Sequence, residues 1–266
     1  MKLATIVDTA LFALAAAAAA AAFMLAERFD PLADVAVTAQ RFAAMLLMIA
    51  FVAAWRPAQA PFAVTFAVAF AILVVNIHLE LAFFMPMALE GRALLFAMGT
   101  VNCAIVVLLA RLVSAGGTGA PTIAEWAARG TANWVFRLAL AAFIYIVLYV
   151  VVGAAAYTYT KPFYEDAAGL GLQVPPIATV LMAQVLRGAV YATAALVFAL
   201  TTPRVGAPTL VAMGLFAGLG GVAPLVGNSD WPLDMRIAHT IEIILQNAPF
   251  AAFALWLFGT RTAEAR

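Results

Sequence analysis

Four polar side chains near the C-terminal end of the sequence, Arg236, His239, Glu242 and Gln246, follow the spacing i, i+3, i+6, i+10. At the α-helical rotation they fall within about a 120° arc of one face and span roughly 15 Å along it. On an apolar helix they form a polar ladder. Arginine offers forked donors to an anionic head group, and histidine and glutamate can move a proton. Gln184, Arg187 and Tyr191 make a second face by i+3 and i+4 spacing, and Asn76 and Glu80 a third at i, i+4. The run Asn76-x-His78-x-Glu80 invites a metal-ligand reading. On an ideal helix, however, His78 projects about 160° away from Glu80, so the two do not serve one ion. Asn247 precedes Pro249, whose missing N–H and bulky ring predict a break in the last helix and a freed carbonyl near Leu245.

The elements that must carry these side chains follow from composition. The chain has 266 residues, 67% of them hydrophobic and only 10% charged, with a mean hydropathy of +1.05. A soluble domain is about 45–50% apolar and ~25% charged. This is therefore an integral membrane protein, read as one membrane domain over residues 1–266. The net charge of +1 gives no basis for nucleic-acid binding or for a polybasic membrane patch. The one cysteine, Cys103, excludes an intrachain disulfide and any cysteine-clustered metal site.

A helix needs about 20 apolar residues to cross a bilayer. That length fits eight segments, at 9–25, 42–55, 62–84, 93–113, 138–157, 177–200, 209–226 and 237–258. The expected fold class is all-α, a polytopic transmembrane helical bundle of about eight spans. The second segment reaches spanning length only if residues 37–41 join it and Arg41 snorkels. The seventh is weakened by Gly214, Gly218, Gly220, Gly221 and Pro224. The alanine run at 15–22 follows Lys2 in the manner of a signal peptide, but is read here as a retained first helix. Residues 121–129 are expected to lie along the membrane interface.

Short loops rich in Lys and Arg stay cytoplasmic. With both termini cytoplasmic, eight basic residues fall inside and five outside, with Arg187 within a span. The acids separate more clearly. Glu27, Asp30, Asp34, Glu90, Glu165, Asp166, Asp230 and Asp234 all fall on the outer side. Trp and Tyr near segment ends, among them Trp55, Trp134, Tyr164 and Trp231, suit the head-group level. The alanine-rich, short-looped style favours a bacterial inner membrane.

Ionisable side chains inside a span cost at least ~2.5–3.5 kcal/mol each on insertion scales, so they face a bundle interior or a wet cavity. Glu80, Arg187, Arg236, His239, Glu242, Gln246, Gln184 and Asn76 are the candidate lining of one outer-facing pocket. It would bind or transport a small anionic or lipid-like ligand. A membrane-embedded enzyme acting on a lipid-linked substrate is the alternative, with Glu242 or His239 as acid or base. Cofactor binding is a lesser option, through a haem b or a metal held by His78 and His239. A fourth reading is a non-catalytic subunit that meets a membrane-protein partner or a second copy of itself. Against all of these stands a purely structural role. The two arginines, Arg187 and Arg236, and the two glutamates, Glu80 and Glu242, would then form ion pairs that hold helix register, with Arg187 and Glu242 the pair to test, and Asn76, Gln184, Gln246 and Asn247 would act as hydrogen-bonding glue.

Overall fold

The computed structural model describes residues 35–55, 61–85, 87–114, 130–165, 172, 174–202, 208–228 and 230–259. Among these residues there are seven helices long and apolar enough to cross a membrane, and no strands. The chain is thus a multi-pass membrane protein of helical class. The expected first span at 9–25 and the interfacial segment at 121–129 lie outside the described residues.

The seven helices are α1 (Val35–Ala54), α2 (Phe62–Phe84), α3 (Leu89–Val113), α4 (Thr131–Glu165), α5 (Ile177–Thr201), α6 (Pro208–Gly227) and α7 (Leu233–Phe258). Residues 37–41 do join α1, as its spanning length requires. Three helices start directly after a proline, at Pro61, Pro176 and Pro232. Each of these carbonyls accepts first-turn amides, for example Val180 N–H to Pro176 O and Arg236 N–H to Pro232 O. Proline has no N–H to lose there, and its fixed φ suits a helix start. α3 carries Glu90 in its first turn and Arg111 in its last, matching the helix dipole at both ends. α4 is longer than the expected 138–157, because it begins at Thr131 and continues through Pro162 to Glu165.

Neighbouring helices close a ring in the order α1, α3, α2, α5, α4, α7, α6 and back to α1. α6 is the most enclosed span and α4 the least. Outward-facing Leu94, Val101 and Leu108 on α3, and Phe136, Phe143 and Val151 on α4, remain exposed and present an apolar surface to lipid.

Two π turns interrupt the ring, at Ala71–Val75 in α2 and Gly218–Val222 in α6, and they touch one another. The glycine-rich stretch of α6 that weakened its helical signal is where the second one falls. A π turn replaces the i→i+4 pattern by i→i+5, so side chains can reach carbonyls that the regular ladder would occupy. The Asn76 amide donates to Gly220 O at 3.5 Å, and the Asn247 amide to Phe216 O at 3.3 Å. By contrast, α7 runs unbroken through Pro249. The predicted break in α7 is therefore absent. The irregular backbone lies one helix away, in α6.

One half of the bundle is sealed. Tyr145, Tyr191, Phe198, Phe216 and Phe250 interlock with ring centroids 4.7–6.4 Å apart. Trp55, at the end of α1, is buried against Phe198 at 5.1 Å and donates its indole N–H to Thr202 Oγ1 at 2.9 Å. The other half, below the connections at 85–88 and 228–232, is looser. Glu90, Glu165, Asp230 and Asp234 are exposed on this acidic face.

At Gly188 of α5 the neighbouring helix comes close with its backbone, since an added Cβ would stand 2.8 Å from the Ala142 carbonyl of α4. Backbone cannot yield as a side chain can. Gly188→Ala is expected to lower stability by roughly 1–3 kcal/mol, read as a lower thermal midpoint in detergent. An unchanged midpoint would show that the α4–α5 contact is softer than described.

Candidate functional site

Arg187, on the buried face of α5, lies at the centre of the polar residues. Its Nε donates to Asn76 Oδ1 at 2.7 Å and its Nη1 to Gln184 Oε1 at 3.3 Å. Nη2 lies 3.5 Å from Glu80 Oε2. The guanidinium also stands over the rings of Tyr149 and Tyr145, 5.4 and 5.9 Å from their centroids. Every edge of the fork is engaged, as a charge inside a membrane requires. The pair is lopsided, because the Arg187 side chain is 5% exposed and that of Glu80 45%. The cation stands behind and the carboxylate faces open space.

The ladder on α7 holds together in part. His239 Nδ1 lies 2.8 Å from Glu242 Oε2. A carboxylate oxygen accepts, so Nδ1 carries the proton and Nε2 has no protein partner. The His239 ring packs against Trp231 at 5.5 Å and Tyr164 at 6.4 Å. Glu242 also packs against α4, where a Cβ at Gly153 would lie 3.4 Å from its Oε1. Arg236 is partly buried one turn nearer the acidic face, and Gln246 is fully buried one turn deeper. The salt bridge of Arg187 runs to Glu80 and not to Glu242, which corrects the expected pairing.

Two cavities open in the looser half. A smaller one, of about 170 Å³, is lined by Glu80, Tyr164, Asn228, Trp231 and His239, with apolar walls. A larger one, of about 570 Å³, is lined chiefly by apolar side chains of α1, α2 and α3, together with Arg41, His78, Asn102 and Asp230. Ile77, Leu81, Met85, Pro224, Asn228 and Trp231 belong to both, so the two compartments lie side by side along a shared wall, together called the chamber below. His78 and Glu80 line different compartments, as their helical spacing requires. His78 and His239 are likewise divided between them. Among the described residues no three His, Cys, Asp or Glu side chains gather as a metal site, and the proposed pairing of His78 and His239 with a glutamate does not form.

Of the eight candidate residues, Asn76, Glu80, Gln184 and Arg187 form one cluster, and His239 and Glu242 a second. Tyr145 and Tyr149, which the sequence did not single out, complete the first cluster, and Tyr164 and Trp231, which read as interface anchors, the second. The i, i+4 spacing of Tyr145 and Tyr149 on α4 was the available signal. No described family, curated protein or solved structure matches this chain.

If Arg187 and Glu80 are coupled as drawn, Glu80→Gln leaves a buried guanidinium uncompensated, and Arg187→Gln leaves only a half-exposed carboxylate. The first substitution is expected to cost more than the second. A double-mutant cycle should give a coupling of about 1–3 kcal/mol, while the Arg187/Glu242 cycle gives close to none. Equal couplings in the two cycles would refute the assigned pairing.

Proposed function

We propose that the chamber beneath the acidic face is a binding site for a lipid-like, amphipathic small molecule taken up from the outer leaflet of a bacterial inner membrane. The observation that carries the reading is the adjacency of two unlike compartments across a shared wall, one rimmed by Glu80, His239 and Asn228 and the other about 570 Å³ and largely apolar, with Arg41 and Asp230 also in its lining. A polar head fits the first and a hydrocarbon segment the second, as ligand sites usually combine a few polar groups with apolar walls. The eight-span topology with cytoplasmic termini supplies the orientation, because it turns the acidic face outward. An anion clamp built on Arg187 is disfavoured, since its donors are already taken by Asn76, Gln184 and Glu80. The sealed aromatic half favours binding over an open channel. Transport would require that half to loosen, and the paired π turns of α2 and α6 are the backbone elements with the least regular bonding.

The histidine of the smaller compartment favours one second reading. His239, oriented by Glu242, has the form of a general base held by a carboxylate. In a membrane-embedded enzyme it would activate a nucleophile on a lipid-linked substrate.

Native mass spectrometry of protein extracted with its surrounding lipid tests the first reading. A co-purifying amphiphile is expected, and Leu81→Trp, which fills the wall shared by the compartments, should remove it while leaving the thermal midpoint within a few degrees. An amphiphile retained in that variant, or none bound in the parent protein, would overturn the proposal. A bound species converted over time in the parent but not in His239→Gln would instead support the enzyme.

A further inference from the structure

The smaller compartment is walled by aromatic rings around one carboxylate. Among the described residues that line it, Glu80 is the one acid, and none is Lys or Arg. Phe84, Tyr164 and Trp231 supply the rings, and Asn228 and His239 the other polar groups. Four parts of the chain meet there. Glu80 and Phe84 stand i, i+4 on α2, Tyr164 is in the last turn of α4, Trp231 precedes α7, and His239 lies on α7. Trp231 is fixed from two sides, because its backbone N–H donates to Asn228 Oδ1 at 3.3 Å and its ring lies 5.5 Å from that of His239. The imidazole in turn lies 6.4 Å from Tyr164, so it links the two larger rings into one wall. A space of about 170 Å³ holds a single small head group.

The state of Glu80 decides which head group. Its side chain is 45% exposed, and Arg187 Nη2 meets it at 3.5 Å, longer than the usual charge-assisted bond. Much of this carboxylate is therefore left to whatever fills the compartment. A neutral head would strip its hydration without compensation, which is costly for an ionised group. An anionic head would add like-charge repulsion. An ammonium head returns a positive charge to the carboxylate and lays its alkyl surface against aromatic rings, whose faces attract cations.

The fixed cations of the protein leave that place open. Arg187 stands behind Glu80, 5% exposed, and is also bonded to Asn76 and Gln184. Arg41 lines the larger compartment across the shared wall and not the smaller one, and Arg236 lines neither. His239 turns Nδ1 to Glu242, so a second carboxylate offsets any charge on that ring.

We propose that the smaller compartment binds an organic ammonium group, with Glu80 as its counter-ion and the Trp231 and Tyr164 rings as its walls. Resting on the amphiphile reading of the chamber, this makes the head group cationic and leaves the tail to the larger compartment.

The test uses the full-length protein in dodecyl maltoside at near-physiological salt. Native mass spectrometry reads the retention of three compounds that share a dodecyl tail: dodecyltrimethylammonium, dodecanol and dodecyl phosphate. The ammonium compound is expected to be held at least about tenfold more tightly than the other two, the size of one charge-assisted contact. Trp231→Leu should narrow that preference by about threefold, as the loss of one cation–π contact implies, and Glu80→Gln should remove it. The preference of the parent protein and its response to Trp231→Leu carry the test even if Glu80→Gln unfolds through Arg187. Tetramethylammonium, a head without a tail, separates the two sources of such a group. Weak displacement of the tailed compound marks an amphiphile, whereas displacement at equal concentration marks a free organic cation, which keeps the ammonium site and overturns the amphiphile reading. Equal retention of all three compounds, lost in Leu81→Trp, would overturn the ammonium site and leave the amphiphile reading standing. Retention of none would overturn both. An ammonium preference that survives Glu80→Gln and Trp231→Leu alike belongs to the acidic surface and would also overturn the site.

Discussion

A full positive charge buried among membrane-spanning helices is the constraint around which this structure is arranged. Arg187 cannot shed its proton at any ordinary pH, so the fold has to surround it with acceptors. It does so by drawing Asn76 and Glu80 from α2, Gln184 from its own helix, and two tyrosine rings from α4. Three helices are thereby set in register, because each acceptor works only at hydrogen-bonding distance. Breaking such a cluster by one member strands the rest, which makes it a strong determinant of arrangement even where its net energy is small.

The π turns extend that register to α6 and α7. Asn76 not only accepts from Arg187 but also donates to the Gly220 carbonyl. Asn247 on α7 reaches the Phe216 carbonyl and the Tyr191 hydroxyl, each at 3.3 Å. Glycine is needed at 220 because a Cβ there would stand 2.4 Å from the tyrosine oxygen and 2.6 Å from the asparagine nitrogen. In hydrocarbon, irregular backbone is tolerated only when other groups satisfy it, and the two asparagines meet that condition. The chamber opens on one side of this polar belt and the aromatic seal lies on the other.

The same asymmetry gives the chamber its chemical character. Because Arg187 stands behind Glu80, the smaller compartment presents carboxylate, imidazole and aromatic groups rather than a free guanidinium. The larger compartment is mainly apolar and rich in methionine, with His78, Arg41 and Asp230 also in its lining. Both differ from what the count of charged residues implies. Two arginines on the expected pocket-facing spans read as an anion site, yet one of them is consumed in holding the helices.

Composition and length by themselves determined that the chain is a membrane protein made of helices, because so apolar a sequence cannot remain in water and a helix satisfies its own backbone in lipid. Helical spacing also placed Asn76 with Glu80, and Gln184 with Arg187, and turned His78 away from Glu80, since those relations are set within one helix. Relations between helices were not legible. The choice of Glu80 over Glu242 as partner of Arg187, the π turns in place of a break at Pro249, and the gathering of Glu80, Tyr164, Trp231 and His239 around one cavity all depend on which faces meet. Only the tertiary structure decided these, because interhelical contact is fixed by packing across the whole bundle and not by spacing along any one helix.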